Sequence, residues 1–285
     1  SQIVKTQAVS LVEAQLHKFF APYRVAGEWF NFPEESQVLT AVSEAKRLAD
    51  EIAKVVPIFE EAEKLAKEVS NLIVIPADDA STELGQVITL KKSELAVLKT
   101  LEDKIKTFLK VAVESGEDLK GAGEVVNVSF TPEFKLEQFK LDHEEIYTKY
   151  LTTIQKWSGP FTPKGKKMDL PELSSEFQAQ ISEIEGQIAK VSGPSEAYLL
   201  NEPQLVLTNL KSVAQWEHDI ALAKLKLICG MNAGVEGICS WNRKFSEPKE
   251  IFDEKQFVLE NPELYLDYLA EAKTGTYVRA AKRQA

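Results

Sequence analysis

Glu13 and His17 stand four residues apart in AVSLVEAQLHKFF (8–20), where Val9, Val12, Leu16 and Phe19/Phe20 recur at helical spacing. One helical turn brings that carboxylate and imidazole together. The pair has the makings of a base or a metal corner, but a metal needs further ligands. The plainer reading is a helix-surface ion pair. Glu133-Phe134-Lys135 has the acidic-x-lysine form that closes a restriction-type nuclease motif, yet its duplicate Ile251-Phe252-Asp253 keeps neither polar residue in place. Asp78, Asp79 and Glu83 form an acidic loop, and adjacent loop carboxylates ordinarily face water. Cys229 and Cys239 have neither CxxC spacing nor a nearby histidine pair, so they read as small buried residues rather than zinc ligands. No phosphate-cradling glycine loop, HExxH or serine elbow occurs. No catalytic residue, metal or cofactor is expected.

These residues sit in a chain of 285 with 44% apolar and 27% charged residues, the composition of a soluble globular protein of about two domains. Only 13 glycines, against abundant Leu, Ala, Lys and Glu, favour a mainly helical chain. No run approaches a membrane span, and Ser1–Thr6 lacks the apolar core of a signal peptide. The expectation is a cytoplasmic protein with no membrane partner. A net charge of −10 argues against a general nucleic-acid coat, while leaving a local basic patch open. The balance of 34 Lys+Arg against 44 Asp+Glu also argues against a DNA mimic.

One stretch occurs twice. FKLEQFKLDHEEIYTKYL (134–151) aligns without a gap on FDEKQFVLENPELYLDYL (252–269), at an offset of 118. Eight of eighteen positions are identical: Phe134/Phe252, Gln138/Gln256, Phe139/Phe257, Leu141/Leu259, Glu145/Glu263, Tyr147/Tyr265, Tyr150/Tyr268 and Leu151/Leu269. Asn261-Pro262 is a helix start, so the second copy is expected as two short helices, and the first bent alike at His143-Glu144. The aromatic face of each copy is expected to pack on its own strand.

Around the repeat, 34–70 reads as a long helix that Pro57 should kink or divide. LIVI (72–75) and QVITL (86–90) read as paired strands. Helices are expected at 93–115 and 204–228, each followed by a glycine turn and a strand. The fold class is α+β, mainly helical, with two duplicated helix–strand–helix–strand units and small antiparallel sheets. The divisions are 1–40, a long helix and hairpin at 41–91, unit one at 92–168, a helical connector at 169–203 and unit two at 204–285. Lys166 and Lys167 in one unit, and Arg279, Lys282 and Arg283 in the other, end equivalent strands, where paired positive charge could grip a phosphate backbone.

The second unit, with Gly230, Ala233, Gly237, Trp241, Phe252, Asp253, Phe257, Pro262, Glu263, Leu264, Tyr265, Tyr268 and Arg279, resembles the C-terminal accessory region of YqaJ-type phage recombination exonucleases. The first unit is similar but lacks the Trp and Pro. That family's nuclease core lies upstream of this region, and no such core is found here. LVEAQLHKFFAPYRVAGEWFNF resembles the closing segment of phage GIY-YIG relatives through Glu13, Leu16, His17, Phe20, Arg24, Val25, Gly27, Glu28, Trp29 and Phe30. That resemblance maps a catalytic metal-binding glutamate onto Glu13. Twelve residues precede it in this sequence, so the tyrosine strands and arginine it works with are not expected.

Together the resemblances imply a phage or mobile-element protein that keeps binding modules without cutting machinery. The expectation is a non-enzymatic binder of another protein, a host nuclease or anti-phage defence complex, acting as a counter-defence inhibitor or adaptor. Homo-oligomers are left open. The alternatives are a DNA-binding accessory factor in recombination and a metal-dependent nuclease. The candidate interaction residues are Glu13, His17, Arg24, Glu28, Trp29, Lys166, Lys167, Arg279, Lys282 and Arg283.

Overall fold

A computed structural model describes residues 12, 13, 16, 20, 23–26, 29–117, 119, 123–164, 172–271 and 273–280. Those residues form a mainly helical α+β fold with eight α-helices and small sheets. In chain order the first elements are β1 (Arg24–Ala26), β2 (Trp29–Phe30), α1 (Glu35–Leu65), β3 (Val74–Ile75), α2 (Asp79–Glu114), β4 (Gly123–Ser129), α3 (Leu136–Asp142), α4 (Glu144–Lys149), β5 (Leu151–Ile154), β6 (Trp157–Ser158) and β7 (Thr162–Pro163). Then come α5 (Ser175–Ala189), a 3-10 helix (Pro194–Leu200), α6 (Asn201–Cys229), β8 (Gly234–Val235), β9 (Cys239–Ser240), β10 (Lys244–Phe245), β11 (Lys249–Phe252), α7 (Glu254–Glu260), α8 (Pro262–Asp267) and β12 (Thr274–Ala280). The chain divides into two compact units. One is Ser1–Gly123 with Gly159–Arg243 and Ala280–Ala285; the other is Glu124–Ser158 with Lys244–Arg279.

In the first unit α1 and α2 pack on α6. The buried residues of α2, Leu98, Leu101, Ile105, Leu109 and Ala112, keep steps of three and four. Lys91 reaches Glu217 at 2.7 Å, and Lys211 bridges to Glu102, between α2 and α6. Two expectations are corrected. QVITL is part of α2, because Asp78 caps the helix by accepting from the Ser81 amide at 2.8 Å. Ile88 is then fully buried, in a cluster that Leu84 and Val87 also flank, a helical and not an alternating pattern. Pro57 does not divide α1, which runs unbroken through it. Proline removes one intrahelical hydrogen bond, and tertiary contacts hold the helix on both sides: Ile52 in a buried cluster before it, Phe59 against Trp216 at 5.2 Å after it. LIVI does contribute a strand, β3, but its partner is β8, in parallel. The sheet order is β3-β8-β9-β7, which leaves β3 at an edge.

The second unit is the duplicated stretch folded on itself. Each copy breaks into two short helices, at His143 and at Asn261. The copies pair with each other, and many contacts recur with their equivalents 118 residues away. Phe134 bridges to Leu269, and Phe252 pairs with Leu151. The Lys135 amide donates to the Tyr268 carbonyl at 2.9 Å, and the Asp253 amide to that of Tyr150 at 2.8 Å. Tyr265 stacks on Phe134 at 4.7 Å, and Tyr147 on Phe252 at 5.3 Å. Tyr150 donates its hydroxyl to Glu260 at 2.5 Å, and Tyr268 to Asp142 at 2.8 Å. Phe139 and Phe257, both wholly buried, meet at 4.7 Å where the copies join. The aromatic face is therefore core, as the pattern predicts, but it packs across copies rather than on its own strand. Strand pairs β5·β11, β6·β10 and β4·β12 complete this internal pseudo-dimer.

Candidate interaction surface

Ser70 to Ile75 is the least expected segment of the first unit. It is anchored tightly. The Ser70 amide donates to the Arg243 carbonyl at 2.9 Å and the Asn71 amide to that of Met231 at 3.0 Å. The Asn71 side chain donates to Asn232 at 3.0 Å and accepts from the Ile73 amide at 3.0 Å. Ala233 and Glu236 then donate to the carbonyls of Ile73 and Ile75 at 2.6 and 2.9 Å. Between these anchors Leu72 takes φ +63°, left-handed backbone that costs a non-glycine residue about 1–2 kcal/mol. The result is three successive aliphatic side chains in water: Leu72, Ile73 and Val74 are 67%, 57% and 53% exposed. Val69 and Met231, from the same anchored region, are also exposed. Soluble proteins seldom display such a run unless something binds it.

Arg243 holds the base of this surface. Its side chain is fully buried, with the guanidinium carbon 3.9 Å from the centre of the Trp241 ring. It donates to the Leu65 carbonyl at the end of α1 and, at 2.6 Å, to the Gly230 carbonyl beyond α6. One cation thus satisfies orphan carbonyls at two negative helix ends. Burial lowers its pKa from the usual guanidinium value. Beneath the sheet the Cys229 and Cys239 sulfurs lie 3.4 Å apart, both buried. The contact with Cys239, together with burial, raises the Cys229 thiol far above its ordinary range. The β8–β9 turn is close: a Cβ on Gly234 would sit 2.4 Å from the Cys239 carbonyl oxygen.

The residues singled out from sequence are dispersed. Glu13 is a half-buried helical residue next to Val12, which packs with Ala45, Leu48 and Ile52. Arg24 and Trp29 lie in the paired strands β1 and β2, and Arg279 lies in β12. His17, Glu28, Lys166, Lys167, Lys282 and Arg283 fall outside the described residues. Asp78 is a helix cap, its carboxyl held below the usual range by Ser81. Glu133 and Lys135 are exposed on either side of a buried Phe134. Among the described residues no group of three or more His, Cys, Asp or Glu is placed to hold a metal ion. No helix among them is long and apolar enough to cross a membrane.

No protein-family model matches this chain, and no curated protein or solved structure matches it either.

Leu72, Val74, Met231 and Arg243 are the residues that the sequence leaves unmarked. LIVI followed by proline reads as a short strand, and nothing in its composition signals exposure. The sole hint is Asn71, a residue suited to side-chain bonding with nearby backbone.

Proposed function

We propose that this chain is a non-enzymatic protein of a phage or mobile element that binds and modulates another protein, a host nuclease or defence complex. The observation that supports it is the exposed run Leu72-Ile73-Val74, held in place by hydrogen bonds on both sides and by a strained Leu72. A backbone fixed so as to keep aliphatic side chains in water is the signature of a docking surface, since strain persists where the surroundings over-determine it. The phage context comes from the sequence resemblances alone. The test is retention of a host protein on the immobilised, folded chain, in stoichiometric amount and resistant to salt. Recovery of no such protein overturns the proposal.

A further inference from the structure

We infer that β3 receives an extended segment of the partner as an added strand, aliphatic at its centre and flanked by lysine or arginine. This rests on the protein-binding function proposed above and names the chemistry of the partner. Three observations converge. β3 is an edge strand. The carbonyls of Ile73 and Ile75 both accept from the β8 side, and successive residues of a strand point their peptide groups to opposite edges. The N–H and C=O of Val74 therefore face outward, where only another extended backbone can meet both. Leu72, Ile73 and Val74 offer aliphatic contact along the same edge, which calls for aliphatic side chains opposite.

Charge supplies the flanks. Exposed carboxylates flank the strand along the chain at Glu68, Asp79 and Glu83, and exposed Glu236 donates its amide to Ile75. The nearby Lys67 is already engaged by Glu63 at 3.3 Å. A basic-flanked segment is complementary to this rim, whereas a second copy would bring the same carboxylates face to face. Pro76, directly after the strand, cannot donate a ladder bond. It limits the added strand to a short register centred on Val74.

The test uses the full chain and a fluorescein-labelled peptide, Lys-Lys-Val-Thr-Val-Thr-Val-Lys-Lys, with fluorescence anisotropy as the readout. A control peptide of the same sequence carries N-methyl groups on its five central residues and cannot pair. We expect the unmethylated peptide to bind, and binding to weaken about tenfold or more on N-methylation. Val74→Asp should weaken it similarly, while Leu141→Asp leaves it unchanged. Val74 is exposed, so the melting curve of Val74→Asp should match wild type and rule out unfolding. Absence of binding, equal binding of the methylated peptide, or undiminished binding to Val74→Asp each overturns the inference. So does wild-type self-association that Val74→Asp abolishes, because a second copy is then the occupant. A host protein captured equally by wild type and Val74→Asp sinks this inference but leaves the proposed function standing. Capture of nothing sinks the proposed function itself.

Discussion

Arg243 shows how much one buried cation can hold. Its two carbonyl acceptors belong to the ends of different helices, and both lose a charge-assisted partner once the guanidinium is gone. Arg243→Met keeps the bulk and removes both charge-assisted bonds, so a loss of about 3 kcal/mol is expected. The check is the denaturant midpoint of the first unit, followed through Trp fluorescence. Tyr150 makes a subtler case. Its hydroxyl bond, with Lys149 nearby, lowers the pKa of Glu260 below the usual glutamate value. A carboxyl lowered on folding stabilises the folded state above its unfolded pKa, and that stabilisation disappears as pH falls through the folded value. Wild type should therefore melt above Tyr150→Phe at neutral pH, and the gap should narrow as pH drops from about 5 to about 3, the Asn261 bond to the same hydroxyl leaving a remainder. Melting curves of both proteins across that range decide it; a constant gap refutes it.

At the scale of elements, the duplicated stretch separates positions that pack from positions that do not. Phe139 is wholly buried at the join between copies, while Leu141, two residues on, is 83% exposed. Its equivalent Leu259 is 77% exposed. Phe139→Ala should cost about 3–5 kcal/mol, and Leu141→Ala should stay within about 0.5 kcal/mol. Urea titrations of the two variants test the contrast, and similar losses from both would contradict the pairing of copies described above. The break at Asn261-Pro262 was legible because proline chemistry is local, although the Asn261 side chain does not cap the helix and instead donates to the Tyr150 hydroxyl at 2.7 Å. The helix starting at Asp79 was obscured because QVITL carries three β-branched residues, Val87, Ile88 and Thr89, while the Asp78 cap that decides the matter lies eight residues upstream of Gln86. The exposure of Leu72–Val74 was not legible at all. It depends on Asn71, Met231 and Arg243, contacts 160 residues or more away for two of those three. Repetition likewise marks Phe134 and Phe252 as equivalent without saying that their copies touch.

At the scale of the molecule, repetition and packing divide the chain differently. The helices α2 and α6, one from each repeat, meet in the first unit, and the shared stretches meet in the second. Each unit therefore draws on both halves of the sequence. This has a cost during synthesis. When Phe134, Phe139, Tyr147 and Tyr150 leave the ribosome, the segment they pair with is still 118 residues from being made, a wait of about 6–24 s at ordinary elongation rates. Through that interval the nascent chain carries an aromatic face with no mate of its own. The neighbouring chain on the same message carries an identical one. Two nascent first halves that find each other make a knot between molecules in place of a fold within one, so slow initiation and sparse polysomes favour the correctly closed chain.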